Sequence, residues 1–283
     1  MLLAVIDGGA DSESVVSTAL RIGQRFGSHV QILHPRPHVA PAVPIVAEGF
    51  AAGAVTRTVD AIEAAAEERA AAARAVYQKL CVAAGLPLVE SGSRKAGFAV
   101  GFEEVTGDAE ATVIRYGRLA DLIVLSRPDD TKRGLPLGIM EAALFETGRP
   151  IVVAPAEPRE SVAEIVAIGW NDTRESARAL GAAMPFLLKA EGIHILSVHD
   201  AGCEADPVAV ERYLSRQGLS AVSRTLEPDY RPIGEQLLDE AKASNADLLV
   251  MGGYGHSRLR EMVLGGATRT VIGQATIPVL MAH

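Results

Sequence analysis

Apolar residues fall in short, nearly uninterrupted runs, separated by longer stretches in which they recur every three or four positions. In the C-terminal part the runs occupy 165–169, 193–198, 247–251 and 278–282, with a further one near 221–226. Brief runs rich in Val, Ile and Leu predict strands buried on both faces of a parallel sheet. The intervening stretches 174–190, 206–217, 232–244 and 266–274 predict amphipathic crossover helices. Pro185 should bend the first of these, because it removes a ladder hydrogen bond. The N-terminal part follows the same order, with strands expected near 2–6, 29–33, 98–102, 121–125 and 150–154. Alternation of this kind is βαβ architecture.

The two parts also resemble each other residue by residue. Ala120-Asp121-Leu122-Ile123-Val124-Leu125 returns as Ala246-Asp247-Leu248-Leu249-Val250-Met251, and Leu137-Gly138 returns as Leu264-Gly265. Pro150 to Ala154 is echoed by Pro278 to Ala282, and Leu3 to Asp7 by Val166 to Asn171. A duplicated unit changes the reading of every local motif. The first copy carries roughly 38 surplus residues. They read as a proline-rich loop, Pro35 to Thr56, and an alanine-rich helix, Ala61 to Leu80. Glu63, Glu67, Glu68, Arg69 and Arg74 are expected to form a solvated face of that helix. The segment Pro155 to Ser161 reads as the join, which gives domains 1–157 and 158–283.

Composition narrows the class. With 48% hydrophobic and 22% charged residues the chain is an ordinary globular one. No apolar run approaches the ~20 residues of a membrane-spanning helix, and the start, which reaches Asp7 quickly without a basic leader, is unlike a secretory signal. Twenty-seven basic against 35 acidic residues leave a net charge of -8, which disfavours nucleic acid and anionic membranes as partners. Cys81 and Cys203 have no metal-site spacing and are expected to be inert. His194 and His199 flank a predicted strand at a spacing that opposes a shared metal. Ser12 and Ser176 are expected to be helix N-caps.

The sharpest chemical feature follows the run 247–251. Gly252, Gly255 and Gly265 form Gly-x2-Gly-x9-Gly, and Gly266, Ala267 and Thr268 open the next predicted helix. Glycines let backbone amides approach an anion, and a helix start adds unpaired amides and a positive dipole end. Ligands of open parallel sheets gather at the carboxyl ends of the strands, where this loop lies. Phosphate fits; so does a plain strand-to-helix connection that uses glycine for turning. His256 and Arg258 sit inside the loop, either as phosphate contacts or as exposed loop residues.

With its glycine loop and closing Thr276-Ile277-Pro278-Val279-Leu280 strand, the chain resembles the universal stress protein family in its tandem form, over nearly its whole length. The resemblance implies an α/β fold of two tandem Rossmann-like domains of the adenine-nucleotide α-hydrolase type. Each has a five-stranded, mostly parallel sheet, and their closing strands pair as an intrachain pseudo-dimer, which two chains can extend to a homodimer. It implies ATP or another adenine nucleotide, with Mg, as the ligand of the second domain. Two departures stand out: Gly266 replaces the family's hydroxyl residue, although Thr268 follows, and Asn171 replaces the aspartate that meets the adenine and ribose end. Asparagine still hydrogen-bonds but carries no charge.

The first copy departs in the opposite way. Asp7 keeps the aspartate, but Ser126 to Gly134 replaces the first two loop glycines and brings Pro128, Asp129 and Asp130, leaving Gly138. This domain reads as mainly structural, or as a site for a different ligand. Asp7-Gly8-Gly9-Ala10-Asp11-Ser12 also resembles the loop of ATP pyrophosphatases, an adenylating alternative, but the leading acid would repel pyrophosphate. No nucleophile, base and oxyanion trio is assembled in the sequence. The expected role is regulatory, in a cytoplasmic stress response with a regulatory protein partner, and any ATP hydrolysis is slow and incidental. A non-nucleotide interaction module of the same fold is the rival reading.

Overall fold

The computed structural model describes residues 1–37, 52–89, 97–128, 134–198, 205–227, 229–254 and 266–283. In the first half the elements are β1 (Leu2–Val5), α1 (Ser12–Phe26), β2 (His29–Pro37), α2 (Ala52–Tyr77), β3 (Ala99–Gly107), α3 (Ala109–Gly117), β4 (Leu122–Leu125), α4 (Leu137–Glu146) and β5 (Ile151–Val153). The second half repeats the alternation: β6 (Ile165–Gly169), α5 (Arg174–Leu187), β7 (Gly192–Val198), α6 (Pro207–Arg216), β8 (Val222–Leu226), α7 (Ile233–Ala243), β9 (Leu248–Gly252), α8 (Gly266–Gln274) and β10 (Val279–Ala282).

Among the described residues, ten strands form one sheet in the order β3-β2-β1-β4-β5-β10-β9-β6-β7-β8. Every crossover within a half runs through a helix and so returns a parallel strand. The two halves meet where β5 and β10 pair antiparallel, with Leu280 opposite Val152. Helices cover both faces, which is why β1, β4 and β10 are buried along their whole length. One apolar layer packs α1, α2, α5 and α6 against the sheet, through Val15, Ala73, Ala179 and Val210. The other packs α3, α4, α7 and α8, through Val113, Met140, Leu237 and Val271. No helix among the described residues is long and apolar enough to cross a membrane.

The meeting of the halves is reciprocal on the first of these faces. Arg25 donates to the carbonyl of Lys189 at 2.6 Å, and Lys189 donates to the carbonyl of Arg25 at 2.7 Å. Residues 25 and 189 are separated by the same interval as Asp7 and Asn171, so repeat-related residues exchange equivalent bonds, the mark of a two-fold contact. Both cations lie at helix C-termini, where the dipole favours them. Phe26 and Phe186 fill the space beneath, edge to face at 5.0 Å.

Several expectations need correction. Strand β2 continues to Pro37, beyond the expected start of a loop at Pro35. There it pairs with β3 alone, since its register with β1 ends at Leu33. Leu33 turns its carbonyl toward β1, so Pro35 and Pro37, two and four residues on, lack their N–H on the side where no neighbour remains. The rest of the expected loop, 38–51, lies outside the described residues. Helix α2 begins at Ala52 and passes into a π-helical turn, Gln78–Val82. Its charged face is also partly engaged: Glu67 and Arg74 join Arg36 and Glu104 in a four-membered ion-pair ring over the sheet edge, and Arg69 reaches Asp7. The helix containing Pro185 ends at Leu187, before the expected 190. Neither serine is an N-cap. Asp11 precedes Ser12 in that place without a side-chain capping bond, while Thr173 caps α5 in a capping box whose third helical residue is Ser176.

Candidate functional site

In the second half the carboxyl ends of β6 and β9 lie side by side, Gly169 opposite Met251. Here the strand order reverses direction, the place where open α/β sheets hold ligands. After β6 the chain turns through Asp172, in the left-handed region at φ 53°, into the Thr173 cap. Asn171 is exposed on this turn, and its side-chain carbonyl accepts a 2.9 Å bond from the Thr173 hydroxyl. The asparagine therefore holds the turn at the carboxyl end of β6.

Gly252 ends β9 against the first turn of α5. A Cβ there would come within 2.6 Å of the Ser176 nitrogen and 2.8 Å of the Glu175 carbonyl carbon, so the close approach requires glycine. The Glu175 carboxylate is buried beneath this contact and paired with Arg174. Burial opposes its ionisation, but the bonds from Arg174 and from its own backbone, with the charges of Arg174 and His283, outweigh burial and hold its pKa below the usual range.

Helix α8 begins at Gly266, which is exposed, with nothing among the described residues within 4 Å of where a Cβ would lie. Ala267 is half-buried and Thr268 buried in the same first turn. Gly255, His256, Arg258 and Gly265 lie outside the described residues, as do Cys203 and His199. The described cradle thus consists of the Asn171 turn, Gly252 and the α8 start. No group of three or more His, Cys, Asp or Glu able to hold a metal ion occurs among the described residues.

The equivalent place in the first half is filled by the protein itself. Asp7 accepts from the Gly9 amide at 2.9 Å and faces Arg69 at 3.4 Å. Gly8 has φ 78°, and a Cβ on it would lie 2.1 Å from the Arg69 carbonyl oxygen, so α2 rests directly on this turn. At the start of α4, a Cβ on Gly138 would lie 2.3 Å from a carboxylate oxygen of Glu110. An acidic side chain of α3 thus lies against Gly138, the counterpart of Gly265. Asp129 and Asp130 lie outside the described residues.

Residues 164–283 match the family model described as Universal stress protein family. Over these residues the second half of the chain is similar to a universal stress protein family domain. A curated universal stress protein of Synechocystis sp. is 26% identical over 168 residues, covering 56% of this chain and 57% of that protein, so the match spans little more than half its length. The solved structure of a universal stress protein from Archaeoglobus fulgidus shares the fold over 99% of this chain and 97% of that one, with a TM-score of 0.64 at 16% identity. A functionally unknown protein from Pseudomonas aeruginosa does so over 99% and 90%, with a TM-score of 0.55 at 13% identity.

Three residues near the cleft of this half escape sequence reasoning. Glu175 reads as an ordinary first-turn acid, and its burial arises only because β9 ends in a glycine beside it. Tyr254 reads as a spacer between loop glycines, and His283 as the residue after a closing strand. The His283 ring donates a 3.1 Å bond from Nδ1 to the Gly253 carbonyl, and the rings of Tyr254 and His283 both pack on Phe145 of α4. Nothing local in the sequence announces these contacts.

Proposed function

We propose that the chain is a tandem universal stress protein, with domains 1–157 and 158–283, that binds ATP or a related adenine nucleotide in the second domain and acts as a regulatory rather than a metabolic protein. The observation that supports this reading is that the Asn171 turn and the close-packed Gly252 follow neighbouring strand ends at the β6/β9 switch point, with α8 the next element after β9. Adenine and ribose would meet Asn171, and the phosphates would meet the amides around Gly252, Gly255 and Gly265–Thr268, with His256 and Arg258 able to add donors. Mg would arrive on the nucleotide phosphates, in keeping with its preference for few protein ligands. The first domain, with α2 over Gly8 and Glu110 against Gly138, serves as the structural partner of the second in a pseudo-dimer. The cytoplasm, a protein partner that reads the bound state, and association of two chains complete the reading.

Native mass spectrometry of the purified chain, followed by calorimetric titration with Mg-ATP, tests it. One adenine nucleotide per chain is expected, with binding lost on Gly255→Val while the fold persists. Absence of binding at millimolar Mg-ATP sinks the nucleotide reading and leaves the interaction module.

A further inference from the structure

On the face of the sheet opposite the Arg25/Lys189 contact, the halves meet through an asymmetric aromatic cluster. Phe145, in the last turn of α4, receives Tyr254 edge to face at 4.9 Å and 72°, and His283 at 4.7 Å and 88°. Gly253 is clamped between the halves. Its amide donates to the Ala282 carbonyl at 2.9 Å, and the space a Cβ would need is held by Met281 at 3.0 Å and Leu144 at 3.1 Å. Tyr254 then has φ 61°, a left-handed backbone costing a non-glycine residue about 1–2 kcal/mol. Its hydroxyl is buried without a hydrogen-bond partner among the described residues. Strained backbone of this kind persists only where its surroundings over-determine it. Here the surroundings are the ring of Phe145, which belongs to the other half. The repeat equivalents of Tyr254 and His283 are Pro128 and Pro155, so the arrangement exists only at the second cleft.

We propose that Tyr254 and His283, stacked edge-on against Phe145, are positioning residues through which the first half sets the direction in which the chain leaves β9 at the nucleotide-binding end of the second half. The inference rests on the nucleotide reading for its affinity readout. Without Phe145 the left-handed turn at Tyr254 loses its support, and Gly253, next to the close-packed Gly252 of the proposed phosphate site, loses its clamp. The hydroxyl of Tyr254 plays no part; the rings do.

The test uses the full chain with Phe145→Leu, Phe145→Tyr, Tyr254→Phe and Phe186→Leu, the last loosening the other aromatic pair between the halves. Two quantities are read: amide exchange of Gly253 without nucleotide, and the Kd for Mg-ATP. Phe145→Leu should accelerate Gly253 exchange and weaken Mg-ATP binding about 3- to 10-fold, the worth of lost edge-to-face pairs. Phe145→Tyr and Tyr254→Phe, which keep the rings, should bind like the parent. Phe186→Leu should lower Tm and leave both readouts unchanged. Should Phe145→Leu not fold, Phe145→Met takes its place. The proposal is overturned if Phe145→Leu leaves Gly253 exchange unchanged, if it leaves the affinity of a binding-competent parent intact, or if Phe186→Leu has the same effects. If the parent binds no Mg-ATP, the nucleotide reading falls, and Gly253 exchange alone decides whether Phe145 holds the turn.

Discussion

Two glycines of the same proposed site should behave oppositely, and the difference follows from distances alone. At Gly252 a methyl group would meet backbone atoms, Ser176 N at 2.6 Å and the Glu175 carbonyl carbon at 2.8 Å, and backbone of a capped helix start cannot swing aside as a side-chain tip can. Overpacking of this kind costs about 1–3 kcal/mol. Converted at ~2–4 °C per kcal/mol for a chain somewhat below this size, Gly252→Ala should lower Tm by about 2–10 °C. At Gly266 nothing among the described residues lies within 4 Å, and the residue opens α8, so Gly266→Ser should leave Tm unchanged or slightly raised. The serine also supplies the hydroxyl expected of the family at that position, and Mg-ATP should bind about 3- to 10-fold more tightly, the range of one ordinary net hydrogen bond. Thermal unfolding and calorimetry on both variants check this. A Gly252→Ala protein melting within ~1 °C of the parent would refute the close approach of β9 to α5. A Gly266→Ser protein with weakened binding would refute the placement of phosphate at the α8 start.

Three further outcomes are expected. Gly8→Ala should destabilise by more than ~2 kcal/mol in chemical denaturation, because it strains a left-handed backbone and drives a methyl against the Arg69 carbonyl at 2.1 Å; a neutral result would mean that α2 does not rest on this turn. Cys81 is fully buried and burial pushes its thiol up to about 11, so a thiol reagent at neutral pH should label it only as the chain unfolds; rapid labelling of Cys81 in the native protein, located by peptide mapping, would contradict the packing of α2's closing turn. Glu175 has a folded pKa held below its ordinary 4.5, so its ionisation stabilises the fold above that pH and the contribution is lost as pH falls through the depressed folded value. Glu175→Gln should therefore flatten the fall of Tm with acidification below about pH 4.5; an equally steep fall would place the acid sensitivity elsewhere, for example at Glu67, whose pKa is lowered chiefly by its bond to Arg74 and by the charge of Arg36.

The sheet is legible in the sequence because its chemistry is local. A strand covered on both faces must be apolar at consecutive positions, as β4, β9 and β10 are, and the duplication shows each of them twice. Even β8, largely exposed at the sheet edge, keeps its place because the repeat leaves room for one more strand. Boundaries fare worse where a rule about one residue type depends on a neighbour. Pro35 and Pro37 argue against a strand unless the missing partner on their N–H side is known. The loop-end glycines divide likewise. Gly252 and Gly266 lie at the two ends of the loop, yet one is fixed by α5 and the other has nothing among the described residues within 4 Å. Contacts between distant segments leave no trace in local pattern. Arg69 meets Asp7 across 62 residues, and His283 and Tyr254 find Phe145 only once β5 and β10 have paired.

The same comparison explains why duplication has produced two unlike clefts. The halves share strand order, crossover helices and a turn after their first strand, so each has a switch point at the carboxyl ends of its strands. What separates them is largely the surplus segment of the first half. Its helix α2 lays the Arg69 carbonyl on Gly8 and the Arg69 guanidinium beside Asp7, and that turn is closed by backbone, which no rotamer change can undo. At the corresponding turn of the second half Asn171 stays exposed, bonded to the helix cap next to it. Retaining the aspartate in the closed cleft is then consistent with a structural use, since its carboxylate accepts the Gly9 amide and pairs with the covering helix. The aspartate expected from the family thus stands where α2 packs on its turn and Arg69 pairs with it, and an asparagine stands where the turn is exposed and the side chain serves the helix cap instead.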